Sequence, residues 1–232
     1  MSPVKLLRKI ALFRSLKDSD LARLESCLVR CRYSAGEVVF HMGDEGGRLY
    51  IIERGRVRVA IPSPSGDEFI LAILSGGEIL GELSLFDGKP RSATVQALEE
   101  TEALCLHRKD LLDLIGNRSE VAVHLLEVLA RRLRKTDVSL AETHFLDITA
   151  RLARKIQDLG SAFGIREGEI LRLGVKMTQK DLASMVGATR ESVNKQLKML
   201  RDEGIIRIDQ GFIEILDPGG LERRTLPPDT GP

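Results

Sequence analysis

The chain is short of cysteine, of long apolar runs and of net charge, and each shortage removes a class of protein. Cysteine occurs three times in 232 residues, as Cys27, Cys31 and Cys105. An odd, sparse set makes no disulfide framework. Metal or iron–sulfur ligation needs more partners at suitable spacing, so these read as buried or incidental thiols. Cys27 and Cys31, four apart, would share a face if their segment were helical. No stretch of about 18 apolar residues occurs, and the opening MSPVKLLRKI lacks the apolar core of a signal peptide. The expected location is the cytoplasm, with no membrane partner. No nucleophile–base pair and no metal set emerges, which argues against an enzyme. A net charge of +1 does not by itself announce a nucleic-acid partner.

What is present is organised. The composition, 43% hydrophobic and 30% charged, fits an ordinary globular protein, and the length suits two domains. Residues 4–30 read as short helices, with leucines recurring at three and four. From Cys31 to His107 the apolar runs are short and β-branched, at 38–40, 49–52, 57–61, 69–74, 94–97 and 103–106. Ten glycines between Gly36 and Gly88 separate them. Short strands with glycine punctuation predict an all-β jelly roll or barrel.

A helical region follows, about 108–143, broken at Gly116 and Asn117. From Ser119 on, Ala122, Leu126, Leu129, Leu133, Thr136, Leu140 and Thr143 step by four and three, the seam of a coiled coil. Val121, Leu125 and Val128 form a second stripe, expected against the β domain. A helix apolar on two sides needs two partners, which points to a symmetric dimer. The alternative is one broad core face. Asp147 is an expected N-cap of a helix over 147–159, and residues 160–176 read as a hairpin or loop.

Residues 178–200 carry the strongest local signal. Thr178 and Asp181 make a capping box. Leu182, Ala183 and Val186 form an inner face, Gly187 ends the first helix and Thr189 caps a second. Val193, Leu197 and Leu200 turn inward, and Arg190, Glu191, Asn194, Lys195 and Lys198 outward. This is a helix-turn-helix, whose second helix enters the DNA major groove N-terminus first. Arginine matches guanine O6 and N7, and a carboxylate accepts from cytosine N4. Thr178, Lys180, Thr189 and the nearby amides are candidate phosphate contacts. From Arg172 to Arg207, eight Lys or Arg face four Asp or Glu, a bias suited to phosphate. The competing reading is a helical hairpin with no DNA role. Residues 205–215, with a turn at 209–211, complete a winged helix. Residues 218–232, with four prolines, read as a disordered tail.

The second informative stretch is 81–94: a glycine turn, an acid, a short helical turn, then Arg-Ser before a strand. Amides near Gly81 and the Arg91 guanidinium suit one phosphate. Glu82 suits a sugar hydroxyl. A plain loop closed by a Glu82–Arg91 salt bridge is the alternative. Gly81-Glu82-Leu83, Arg91-Ser92-Ala93 and Arg190-Glu191-x-x-x-Lys195 resemble the cAMP receptor protein (CRP/FNR) family of bacterial transcription regulators, over roughly residues 5–216 in the same domain order.

That resemblance implies an α+β architecture in four parts. Residues 1–118 would form a cyclic-nucleotide-binding β-roll, 119–146 a dimerisation helix and hinge, and 147–217 a winged helix-turn-helix, ahead of the 218–232 tail. It implies cAMP as effector, double-stranded DNA, a second copy and RNA polymerase as partners, and no metal. Glu82 would bind the ribose 2′-hydroxyl. Arg91 and Ser92 would bind the cyclic phosphate, with Gly81, Leu83, Ser84 and Ala93 completing the cassette. Arg132 and Thr136 match positions near the phosphate and the adenine. Ligand binding would shift a dimer equilibrium, turning the DNA readers near residues 143–147 until they lie about 34 Å apart.

Three residues depart from the family pattern. Asp137 stands where well-known cAMP receptors carry serine; a carboxylate there accepts from adenine N6 and repels guanine O6. Lys195 replaces a frequent arginine and lacks its planar fork, so the TGTGA-like half-site need not hold at every position. Gln196 sits where many such motifs are apolar. Other effectors (a cyclic dinucleotide, haem or none) and a regulatory module of an enzyme complex stay open as alternatives. The histidines His41, His107, His124 and His144 form no recognisable haem-ligand set.

Overall fold

The computed structural model describes residues 7–225 apart from Lys9 and Ser65. It divides into two compact units, residues 1–134 and 135–232.

In the first unit a 3-10 turn, Ala11–Phe13, and helix α1, Asp18–Cys27, precede eight strands. These are β1 Val29–Tyr33, β2 Val38–Phe40, β3 Arg48–Arg54, β4 Arg56–Pro62, β5 Glu68–Ser75, β6 Ile79–Leu80, β7 Thr94–Ala97 and β8 Thr101–His107. Between β6 and β7 lies the short helix α2, Leu83–Asp87. The strands form two four-stranded antiparallel sheets, β1-β8-β3-β6 and β2-β7-β4-β5. The six predicted runs all lie in strands; β1 and β6 escaped the sequence reading. The helical segment expected to run to residue 30 ends at Cys27. Leu28 is already extended, at φ −86° and ψ 134°. Cys31 lies in β1, so Cys27 and Cys31 share no helix face. All three cysteines are free, and only Cys105 is buried.

Helix α3, Arg108–Asn117, and helix α4, Ser119–Phe145, are separated at Arg118, whose guanidinium grips Asp20 at 2.7 and 3.1 Å. Val121 and Leu125 are buried in the core with Leu49, Ile51, Leu104 and Leu111, and Val128 packs beside them. This is the predicted second stripe. Leu129, assigned to the seam, also leans on this core. The remaining seam leucines face outward: Leu126, Leu133 and Leu140 are 64%, 63% and 72% exposed.

In the second unit, helix α5, Ile148–Phe163, is capped by Asp147, which accepts from Ala150 N at 2.8 Å. Arg151 donates from Nη1 to the Thr143 and Leu146 carbonyls, and Arg154 pairs with Glu142 at 3.0 Å. The helix outruns its expected end because Gly160 is a packing glycine. A Cβ there would press on Ile215 and Leu171 at 3.0 and 3.2 Å. Strands β9 Gly164–Glu167, β10 Ile170–Leu173, β11 Ile206–Asp209 and β12 Phe212–Ile215 form an antiparallel sheet ordered β11-β12-β10-β9. Helices α6, Gln179–Val186, and α7, Arg190–Asp202, lie between its two hairpins in sequence.

The expected disordered tail is corrected over its first part. Pro218–Arg223 forms helix α8, with Pro218 at its first turn and Asp217 accepting from Gly220 N at 2.9 Å. Leu221 is buried. An Asp-Pro start is a helix-opening signal that the proline count obscured. Residues 226–232 lie outside the described residues.

Candidate functional site

The helix-turn-helix segment is built by local rules. Thr178 Oγ1 accepts from Asp181 N at 3.1 Å, and Asp181 accepts from Thr178 N at 2.9 Å. Gly187 takes the left-handed conformation, φ 62°, that terminates α6. Thr189 caps α7 through Ser192 N at 3.1 Å. Val193, Leu197 and Leu200 are fully buried against the unit. That burial fixes the opposite face: Arg190, Glu191, Asn194, Lys195 and Lys198 are all exposed, as are Thr178, Lys180 and Thr189. Gln196, the unusual polar residue, is half-buried and accepts from the Thr149 hydroxyl at 3.0 Å. A shallow open concavity of about 500 Å³ is lined by Gln179, Thr189, Arg190, Glu191 and Asn194. Gln179 was not among the expected residues; its role in that concavity depends on how α6 meets α7, which no local pattern reports. In the wing, Gln210 and Gly211 both take positive φ, and Phe212 lies under Arg172 Cζ at 4.4 Å and Lys176 Nζ at 5.3 Å.

The cassette is of another kind. The segment before β7 is pinned to the loop after β2: Arg91 N donates to Asp44 O at 2.8 Å, and Gly43 N to Arg91 O at 2.9 Å. Arg91, 4% exposed, spans two carbonyls, Gly81 O at 2.7 Å and Arg48 O at 2.8 Å. Its guanidinium carbon lies 4.3 Å from the Phe40 ring centroid and 5.7 Å from that of Tyr50. Gly81 holds φ +80°, and a Cβ there would run into Arg91 Nη1. Glycine is needed at that turn on both counts.

Glu82, 3% exposed, is paired with Arg132 from α4, which also donates to the Ile79 carbonyl. The alternative of a direct Glu82–Arg91 bridge is not what forms. Each charged side chain has a different partner. Ser84 is buried against Gly46, Ala93 is buried, and Leu83 and Ser92 are exposed. Thr136 and Asp137 are exposed on α4; both fall in the second compact unit, so only Gly81, Glu82, Leu83, Ser84, Arg91, Ser92, Ala93 and Arg132 are grouped within one unit.

Both segments lie within domains that have known relatives. The family model for the cyclic nucleotide-binding domain matches residues 30–118, and that for the Crp-like helix-turn-helix domain matches 150–224. A CRP-like cAMP-activated global transcriptional regulator of Mycobacterium tuberculosis is 37% identical over 220 residues, covering 95% of this chain and 98% of its own. The chain belongs to the CRP family of transcription regulators. The cyclic AMP receptor protein of Thermus thermophilus is 36% identical over 216 residues, 91% of this chain and 94% of its own. The crystal structure of the Thermus thermophilus catabolite activator protein aligns with a TM-score of 0.54 at 34% identity, covering 93% and 98%. The c-di-GMP responsive regulator CLP of Xanthomonas campestris has a TM-score of 0.77 at 22% identity, covering 87% and 100%. At that identity the likeness is one of fold.

This CRP-family chain is thus a DNA-binding transcription regulator, not an enzyme, and carries a cyclic nucleotide-binding domain. The idea of a regulatory module for an enzyme complex is thereby corrected. The helix-turn-helix match also extends through α8, consistent with an ordered segment there. Among the described residues no helix is long and apolar enough to cross a membrane, and no cluster of three or more His, Cys, Asp or Glu is placed to hold a metal. Burial lowers the Arg91 pKa from the ordinary arginine value, opposed by Tyr50, Glu82 and Asp44. Its Nε is buried without a hydrogen-bond partner, a costly state for part of a cation.

Proposed function

We propose that this regulator works as a homodimer in the cytoplasm, binds a TGTGA-like palindrome, and is controlled by cAMP. The observation that carries the effector reading is the pair of buried charges, Glu82 and Arg91, flanking a glycine turn that admits no side chain. Such a cradle suits a ligand offering both hydroxyl and phosphate. Glu82 would take the ribose hydroxyl. Arg91, Ser92 and the Gly81 turn would take the phosphate, with Leu83, Ser84 and Ala93 shaping the wall. Arg132 and Thr136 would lie along the nucleotide. Asp137 would favour adenine, an acceptor facing its N6 amine. The names of the Mycobacterium tuberculosis and Thermus thermophilus relatives point to cAMP.

The exposed Leu126, Leu133 and Leu140 support the dimer, since a seven-residue apolar repeat this exposed gains from a second copy. Burying each leucine would contribute about 1–2 kcal/mol per chain. RNA polymerase is the expected partner in activation. The four-part division at 118, 146 and 217 follows the same reading, with the long helix serving both the β-roll and the seam.

One observation favours a second reading. Arg132 already neutralises Glu82, so the cassette is internally satisfied at one of its two charges. An effector-independent regulator would look the same there. Titration calorimetry with cAMP, cGMP and cyclic di-GMP separates the readings. Binding of cAMP more tightly than cGMP supports cAMP control and the Asp137 assignment. Equal binding of both sinks Asp137, tight cyclic di-GMP binding alone replaces the effector, and no binding at all favours the second reading.

A further inference from the structure

A chain of side-chain hydrogen bonds crosses the helix-turn-helix. Arg190 Nε donates to Gln179 Oε1 at 3.4 Å, and Gln179 Nε2 donates to Asn194 Oδ1 at 2.9 Å. Gln179 is the first residue of α6, directly after the Thr178 cap, and is half-buried. Arg190 and Asn194 are four apart on α7 and so share a face. One amide therefore touches two of the outward-facing polar residues of the recognition helix's first turns. Only one orientation of that amide serves: turned over, its NH2 group would face the Arg190 donor and its oxygen the Asn194 oxygen.

We infer that Gln179 is a positioning residue for base reading, setting which atoms of Arg190 and Asn194 face the DNA. With Nε engaged, Arg190 keeps its two terminal nitrogens as a fork for a pair of acceptors, the pattern guanine offers through O6 and N7. With Oδ1 engaged, Asn194 presents its Nδ2 hydrogens. It then selects base edges bearing an acceptor, purine N7 or thymine O4, and disfavours the cytosine amine. Gln179 thus converts two flexible side chains, one of them able to donate or accept, into two fixed donors. Its exposed partners would otherwise lose conformational freedom on binding. This inference rests on the proposed binding to a TGTGA-like palindrome, with Arg190 contacting bases as the sequence leads one to expect.

The test uses the full chain and duplexes it selects from a random pool, with or without cAMP, whichever condition binds. Affinity is measured for the selected site, its single-base variants and a random duplex at fixed salt. Gln179→Met keeps the volume and removes both hydrogen bonds. It is expected to lower discrimination about tenfold at one or two base positions, leaving random-duplex affinity and Tm unchanged. Gln179→Glu keeps the acceptor for Arg190 and loses the donor to Asn194. It should retain discrimination at the Arg190 position and lose it at the other. In an Arg190→Ala background, Gln179→Met should have no further effect at the Arg190 position. An equal loss of affinity for selected and random duplexes would instead make Gln179 a phosphate contact and overturn the inference, as would additive losses in the double variant. Unchanged selectivity in Arg190→Ala alone would remove the underlying reading, a separate and recognisable result.

Discussion

The cassette and the DNA reader solve the problem of holding polar groups in opposite ways. In the cassette, Glu82 and Arg91 are 3% and 4% exposed and are held by Arg132, by the Gly81 and Arg48 carbonyls and by Phe40. On the recognition helix, Arg190, Glu191, Asn194, Lys195 and Lys198 stand in solvent, tethered at one point by Gln179. A ligand entering the first site must compete with bonds the protein already makes, so occupancy there has a structural consequence. A ligand meeting the second finds polar groups waiting, and the protein need only aim them. A buried site suits a switch, and an exposed one suits a reader.

The sharpest way to break this contrast is Arg91→Ala. It removes a buried cation from two carbonyls and from the proposed phosphate position, so cAMP affinity by calorimetry should fall about 100-fold. Thermal unfolding should show a loss of about 2–4 kcal/mol. Retained cAMP binding with lowered stability would make Arg91 purely structural. Arg190→Ala tests the other side. Loss of about 1–3 kcal/mol on the selected site, with relaxed choice at one base and unchanged Tm, is expected in competition binding. A change in Tm would mean that the exposed face carries stability after all. The smallest effect belongs to Lys198→Ala. It should weaken selected and random duplexes alike by less than about tenfold, and shift the slope of log affinity against log salt by about one. A base-specific effect at Lys198 would widen the reading face beyond Arg190 and Asn194.

What was legible in the sequence follows the same division. The helix-turn-helix is made of caps, a glycine and a 3.6-residue period, all set within about twenty residues, and each was readable before the fold was known. The cassette was legible as a motif, yet the pairing within it was not. Glu82 and Arg132 are 50 residues apart and meet only because Val121 and Leu125 dock α4 on the β-roll. The substitution of this pair for the expected Glu82–Arg91 alternative is tertiary information. Gly160 misled in the other direction. Placed just past the expected end of the helix, it sits inside α5, where close packing on Ile215 and Leu171 leaves little room for a side chain. Strand β1 is masked by alternation with Arg30 and Arg32, whose charges are matched by Glu53 on β3, two strands away in the sheet, and by Glu102 on the adjacent β8.

One chain joins a cyclic nucleotide-binding domain to a DNA-binding domain, and the proposal is that the first operates the second. The most direct measurement is the affinity of the full chain for its selected duplex and for a random duplex, each with and without saturating cAMP. An increase of about tenfold or more for the selected duplex alone is expected, an allosteric coupling of about 1–3 kcal/mol. Equal affinity for the selected duplex in both conditions would contradict control by cAMP.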